Sequence, residues 1–174
     1  VILSAQGPLN LTIPIQGGRD QKTSIKDILI AYDAPWQAQH FKAIKTCYKR
    51  APYFEYYEAD IEKLYTTKKE YLVDFLEDCH QFIQKSIKGK WELIDCKETI
   101  NEEVKKVSVE HKVNSKQKTM LPWQPNNYDQ FAIQHPYMQV FESSKGFISN
   151  LSILDWLFCK GGKEISKQLS ESLK

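Results

Sequence analysis

The feature that most constrains the fold of this chain is the helical spacing of its apolar residues between positions 34 and 88. The first group recurs every three or four residues and shares one face of a predicted helix: Trp36, His40, Ala43, Ile44, Cys47 and Tyr48. This helix is predicted to run to about Arg50. Asp33 is predicted to cap its start, with Ala34 and Pro35 in the first turn, where proline is tolerated.

Two further helices are predicted from the same spacing. The inward face of the second consists of Phe54, Tyr57, Ile61, Leu64 and Tyr65. The inward face of the third consists of Leu72, Phe75, Leu76, Cys79, Phe82, Ile83 and Ile87. The third helix is predicted to stop at Gly89, because glycine readily adopts the left-handed conformation that ends many helices.

Residues 1–30 show the alternation of strands instead. Residues 1–4 and the segment 9–15 predict a hairpin with its turn at residues 6–8, and Pro14 puts the end of the second strand at a sheet edge. Residues 25–30 predict one more short strand. Since Val1 follows no methionine, we expect that a native N-terminal segment precedes it and adds a strand to the sheet.

These patterns predict an α/β fold, in which a small sheet packs with several helices and helix predominates, with α+β as the alternative. We expect one domain over residues 1–174, in which residues 97–135 form a long polar loop or insertion. Near the C-terminus a helix is predicted to begin at about Asn150, with Ser152 and Asp155 in capping-box spacing. It ends at residues 161–162, and a mostly exposed helix follows over residues 163–173.

Composition excludes several classes of protein. The net charge is +2 and only two of the 24 basic residues are arginine, which argues against a nucleic-acid partner. No apolar run approaches the roughly 18 residues that a membrane span needs. The four cysteines show no CxxC or other paired-ligand spacing, so we expect a reduced, cytoplasmic protein with no metal site, and no motif identifies a cofactor.

Three strings in the sequence resemble the WbqC-like protein family. The first is Trp36-x3-His40 followed by Tyr48-x3-Pro52-Tyr53-Phe54-x2-Tyr57; the second is Tyr137-Met138-Gln139-Val140-Phe141; the third runs from Gly146 through Asp155-Trp156 to Phe158 and closes on Gly161. Cys159 departs from the family, which often has asparagine there. The resemblance implies a role in the biosynthesis of O-antigen or other surface polysaccharides, for which glycine transfer to a sugar amine has been proposed.

His40 and Asp155 are the candidate catalytic residues. His40 can act as the general base that takes a proton from an incoming amine, although a histidine on an apolar face is also explained as a packed side chain. Asp155 can orient His40 or bind a sugar hydroxyl if the fold brings the two together. Trp36 and Tyr48 flank His40 on the same face and are candidate sugar platforms, with core packing as the alternative.

Gly146, Asn150 and Ser152 are candidate ligands of a phosphate or carboxylate. A helix N-terminus presents free backbone N–H groups, and Gly146 allows close approach of a ligand, although capping alone also explains Asn150 and Ser152. By contrast, Gly161-Gly162-Lys163 is no P-loop, because Leu157 and Glu164 occupy its first glycine and Ser/Thr positions.

Two functions are consistent with these residues. The first is a transferase of surface-polysaccharide (O-antigen) biosynthesis that acts on an amino-sugar or nucleotide-sugar substrate and adds glycine to it. The alternative is a non-catalytic binding or scaffold protein of a sugar-modifying complex. Adjacent helix positions diverge, so the four rings of Tyr53, Phe54, Tyr56 and Tyr57 cannot all face inward. Some of them are predicted to be exposed, or to contact a protein partner or the expected N-terminal segment.

Overall fold

The computed structural model describes residues 1–18, 23–88 and 136–172, with side chains given up to residue 168. All of these residues belong to one compact unit, which comprises Val1–Gly89 and Gln134–Lys174. The predicted polar loop at residues 97–135 lies wholly outside the described residues. The loop therefore stays a prediction, as do the single domain over residues 1–174 and the expected N-terminal segment.

The chain begins with an antiparallel hairpin of two short strands, β1 (Ile2–Ser4) and β2 (Gly7–Leu9). Its turn is at residues 5–6, so the predicted turn at 6–8 is wrong: Gly7 and Pro8 belong to the second strand, and no ladder extends it to residue 15. The Ser4 hydroxyl holds the turn, since it donates to the Gly7 carbonyl (2.7 Å) and accepts from the Gln6 N–H (3.3 Å).

The predicted third strand is mostly absent. Ile25–Asp27 form one turn of 3₁₀ helix, and only isolated bridges follow, which pair Leu29 with Tyr71 and Ile30 with Ile15. The segment at residues 28–31 thus connects residues 14–16 on one side to the start of the third helix on the other.

The three predicted helices are present as α1 (Trp36–Tyr48), α2 (Phe54–Thr66) and α3 (Leu72–Ile87). Two details differ from the prediction. Asp33 does not cap α1, because Pro35 occupies the cap position with a non-helical ψ of 52°. The third helix ends at Ile87, and the left-handed cap is Lys88, at φ 54°, one residue before the predicted Gly89.

Three shorter helices complete the described chain: α4 (Glu142–Lys145), α5 (Ile153–Lys160) and α6 (Gly162–Ser172). Helix α5 begins at Ile153, three residues after the predicted start, and the Ser152 hydroxyl caps it by accepting from the Leu154 N–H (3.3 Å). Gly161, at φ 77°, makes the sharp corner between α5 and α6. The predicted fold, helix-rich with a small sheet, is confirmed and fits either the α/β or the α+β label.

The buried residues form two clusters. The larger joins β1, α1, α2, α3, α5 and α6, and its fully buried large side chains include Tyr48, Phe54 and Phe158. The smaller consists of Ile30, Trp36 and Phe75, with Tyr32, Tyr65 and Cys79 among the residues packed against it. The prediction that Leu76 faces inward is wrong, since this residue is 42% exposed.

Candidate functional site

Asp155 is a fully buried carboxyl group at the centre of a hydrogen-bond network. One carboxyl oxygen accepts from the Tyr48 hydroxyl (2.7 Å), and the other accepts from the Tyr137 hydroxyl (2.6 Å) and the Gln139 side-chain amide (3.2 Å). Gln139 also donates to the Ile148 carbonyl (2.8 Å) and accepts from the Ile148 N–H (2.9 Å). We call these residues the Asp155 network; buried polar groups paired in this way specify a unique arrangement of the segments that supply them.

Burial sets the protonation of the two tyrosines in this network. It raises the pKa of Tyr48 and of Tyr137 far above the usual value, and the neighbouring Asp155 raises both further. Both phenols therefore stay protonated, and each donates a hydrogen bond to the Asp155 carboxyl group. The Tyr48 hydroxyl also accepts from the Leu3 N–H (3.0 Å), which ties β1 to the same point.

His40 and Trp36 belong to a different environment, the aromatic cluster of Tyr32, Trp36, His40, Tyr65 and Phe75. The Trp36 ring lies 5.2 Å from the His40 ring and 5.5 Å from the Phe75 ring between centroids, and only 3% of Trp36 is exposed. Burial lowers the pKa of His40, against a smaller opposing effect from a hydrogen bond with the Thr12 backbone. His40 is therefore a neutral imidazole at neutral pH.

The predicted residues are thus divided between two sites. His40 and Tyr48 lie eight residues apart on α1, about 12 Å along its axis. Among the described residues, the hydrogen-bond donors to the Asp155 carboxyl group are Tyr48, Tyr137 and Gln139. No hydrogen bond joins His40 to Asp155 among the described residues, so the condition for Asp155 to orient His40 is not met there. The catalytic roles of both residues and the sugar-binding roles of Trp36 and Tyr48 stay predictions.

The predicted anion ligands lie around the start of α5. Gly146 ends α4 at φ 69°, and Asn150 has a left-handed φ of 61° outside any helix, so the prediction that the helix begins at Asn150 is wrong. Ser152 is the N-cap, as its spacing indicated. Asp155 is not its capping-box partner, because its carboxyl group is used by the Asp155 network. Binding of an anion here stays a prediction.

A wide groove lies where the start of α2, the end of α3 and the α5–α6 corner meet. Its volume is about 960 Å³, and we call it the tyrosine–lysine groove after its two exposed rings and five lysines. Tyr53 is 45% exposed and Tyr56 is 80% exposed, whereas Phe54 and Tyr57 are buried. The prediction that some of these four rings face outward is confirmed; that they contact a protein partner stays a prediction.

Two glycines bring the walls of the groove together. At Gly161 an added Cβ would lie 2.9 Å from Cε1 of Tyr53, so the tyrosine ring packs directly on the glycine. At Gly162 an added Cβ would clash with the backbone carbonyl oxygen of Ser86, so the start of α6 touches the last turn of α3. The Gly162 N–H donates to the Tyr57 hydroxyl (3.0 Å), which connects α6 to α2.

The groove is lined by more positive than negative charge. Its cationic side chains are Lys85, Lys88, Lys160, Lys163 and Lys167, and its carboxylates are Asp60 and Glu164. None of these residues was a predicted site residue. The lysines come from three helices, so only the i, i+3 spacing of Lys85 with Lys88 and the i, i+4 spacing of Lys163 with Lys167 indicated shared faces.

Metal-binding groups and membrane-spanning helices are both absent from the described residues. No group of three or more His, Cys, Asp or Glu side chains in this part of the chain is arranged to hold a metal ion. Nor does any helix within it have the length and apolar character needed to cross a bilayer.

Comparison with known proteins gives one match. No curated protein and no solved structure matches the sequence. The model of the WbqC-like protein family, which is associated with proteins of O-antigen biosynthesis, matches residues 1–167. The three strings of the resemblance contribute to one packed unit, and Tyr48, Gln139 and Asp155 bring one residue from each of them into the same network. The match covers nearly the whole sequence, and the chain therefore belongs to the WbqC-like protein family.

Proposed function

We propose that this protein acts in the cytoplasm, in the biosynthesis of surface polysaccharides such as O-antigen, and that it binds an amino sugar in the tyrosine–lysine groove. The family association supports the pathway. The observation that carries the binding role is the pair of exposed rings, Tyr53 and Tyr56, on a cavity of about 960 Å³. Concave sites with a few polar groups are where small ligands bind.

The chemistry of the groove suits such a ligand. An aromatic ring offers an apolar face to the C–H groups of a sugar, and Tyr56 is open to solvent. The Glu164 carboxylate lines the same space and can accept hydrogen bonds from a protonated sugar amine. By comparison, Trp36 is 3% exposed and Asp155 is fully buried, so neither side chain is open to a ligand in this conformation.

Saturation-transfer NMR of the full chain with glucosamine as the probe tests this proposal. We expect saturation transfer to the sugar protons, and a loss of at least several-fold in Tyr56→Ala. Tyr71→Ala is the matched control, because Tyr71 is a partly exposed tyrosine outside the groove lining. Equal signals from the two variants, or no signal from the wild type, would contradict the proposal.

Transfer of glycine to the sugar amine is a second candidate, favoured by the lowered pKa of His40. A neutral imidazole is the form that can accept the proton that the amine loses as its nitrogen bonds to the carbonyl carbon of a glycyl thioester, whose C–S bond breaks to release the thiol. The test is mass spectrometry of the glycylated product after incubation with glucosamine and a glycyl thioester. If product forms, we expect His40→Ala to lose it and Tyr71→Ala to keep it. Unchanged product in His40→Ala would remove His40 from the reaction.

A further inference from the structure

Lysines surround the tyrosine–lysine groove in a pattern that the helices only partly explain. Cations near the C-terminal end of a helix are stabilised by its dipole, which accounts for Lys85 and Lys88 at the end of α3 and for Lys160 at the end of α5. Lys163 is different, because it lies in the first turn of α6, where the dipole disfavours a cation. Lys167 follows one turn later on the same face of α6, so the positive charges of Lys163 and Lys167 repel each other.

Most of these charges have no counter-ion within the part of the chain that the structure describes. Lys85 pairs with Asp60 at 3.2 Å. Among the described residues, the other four lysines that line the groove make no ion pair with a carboxylate. Several unneutralised like charges around a concave surface focus a positive potential there, which raises the local concentration of anions.

Backbone packing holds these lysines near one another. Ser86 and Gly162 are in direct backbone contact, since no side chain fits between them. Lys85 and Lys88 lie within two residues of Ser86, and Lys160 and Lys163 lie within two residues of Gly162. Four cationic side chains therefore start close to one point of contact between α3 and α6, on the wall of the groove.

We infer that the tyrosine–lysine groove binds a diphosphate, and that its ligand is a nucleoside diphosphate, the group that activates a sugar for transfer. The lysine ammonium groups supply charge-assisted hydrogen bonds to the phosphate oxygens, and the exposed rings of Tyr53 and Tyr56 supply faces on which a base stacks. The sugar part of this assignment rests on the proposed function, whereas the diphosphate part rests on the lysines alone.

Isothermal titration of the full chain with uridine diphosphate as the probe tests the inference. We expect binding that weakens as salt is added, and that weakens by about tenfold or more in the double variant Lys163→Gln with Lys167→Gln. The matched control is Lys26→Gln with Lys42→Gln, two exposed lysines outside the groove lining, which should bind like the wild type. Thermal melting checks that both variants fold. No binding by the wild type, or equal weakening in both variants, would overturn the inference.

Further probes identify the source of the diphosphate. Binding of uridine diphosphate more tightly than inorganic diphosphate, with the difference lost in Tyr56→Ala, supports a nucleoside. Equal affinity for uridine diphosphate and inorganic diphosphate overturns the nucleoside assignment. So does lysine-dependent binding that is tighter than that of uridine diphosphate, either to vesicles that carry a polyprenyl diphosphate or to a single-stranded oligonucleotide. Glucosamine carries no phosphate group, so its binding tests the proposed function separately. If the wild type binds uridine diphosphate but not glucosamine, the proposed amino-sugar function is refuted and this inference stands.

Discussion

The Asp155 network and the aromatic cluster bury polar groups against the same helix, α1, in opposite ways. In the Asp155 network both carboxyl oxygens and both tyrosine hydroxyls have partners at 2.6–3.2 Å. In the aromatic cluster the indole N–H of Trp36 is buried and has no acceptor among the described residues. The first region is held by directional hydrogen bonds. The second is held mainly by the packing of its rings, with hydrogen bonds from the Tyr32 hydroxyl to the Lys69 carbonyl (2.7 Å) and between His40 and the Thr12 backbone.

This difference shows which region specifies the arrangement of the chain. The Asp155 network connects β1, α1, α5 and the segment before α4, so a shift of any one segment leaves a buried group unpaired. A buried unpaired group costs about 1–3 kcal/mol, which discriminates strongly among alternative packings. Rings that touch edge to face tolerate small rotations at a lower cost.

Asp155→Ala should have the largest effect on stability. It leaves the Tyr48 and Tyr137 hydroxyls without their acceptor inside the core, so we expect the free energy of unfolding to fall by about 3 kcal/mol or more. Urea denaturation monitored by circular dichroism measures the change. Asp155→Asn should cost less, since one oxygen remains as an acceptor, and Asp27→Ala, at an exposed position, should cost almost nothing. A loss below about 1 kcal/mol in Asp155→Ala would contradict the structural role of the network.

The helices could be predicted from the sequence because their signal is local. Spacings of three and four residues located α1, α2 and α3 and most of their buried faces. The errors lie where tertiary contacts decide: Leu76 has the right spacing, yet 42% of it is exposed. The cap at Asp33 failed because the ψ of Pro35 delays the first helical turn.

The role of Asp155 could not be predicted, because its partners are distant in sequence. Its spacing from Ser152 matched a capping box, which is a local pattern, whereas Tyr48 lies 107 residues away and Tyr137 lies 18 residues away. The tyrosine–lysine groove was missed for a related reason. Each lysine alone resembles an ordinary solvated residue, and the packing of α3 against α6, which includes the contact of Ser86 with Gly162, is what brings their lysines together.

Two matched substitutions to phenylalanine sharpen the comparison. Tyr48→Phe removes a donor to Asp155 and the acceptor for the Leu3 N–H, so we expect the free energy of unfolding to fall by about 2 kcal/mol. Trp36→Phe breaks no hydrogen bond within the described residues. Removal of the unpaired indole N–H partly offsets the packing lost with the smaller ring, so we expect the free energy of unfolding to fall by about 1 kcal/mol or less. Chemical denaturation of both variants gives the two values, and the reverse ranking would show that ring packing, not pairing, dominates on α1.

The smallest effect should be the dependence of stability on the protonation of His40. Burial lowers the pKa of His40 in the folded protein, whereas the unfolded chain titrates near the usual value of about 6.5. The unfolded state therefore binds a proton first as the pH falls, so the contribution of His40 is complete above about pH 6.5 and is lost as the pH decreases through the folded pKa. The slope cannot exceed about 1.4 kcal/mol per pH unit for one proton.

Denaturation of the wild type and of His40→Gln between pH 7.5 and about pH 5 isolates this contribution, because the carboxyl groups common to both proteins cancel in the difference. We expect the stability difference between the two proteins to shrink as the pH falls, since only the wild type loses stability through His40. A difference that stays constant over this range would mean that the imidazole takes up its proton equally in the folded and unfolded states, and hence that the aromatic cluster is open enough to hold a charge.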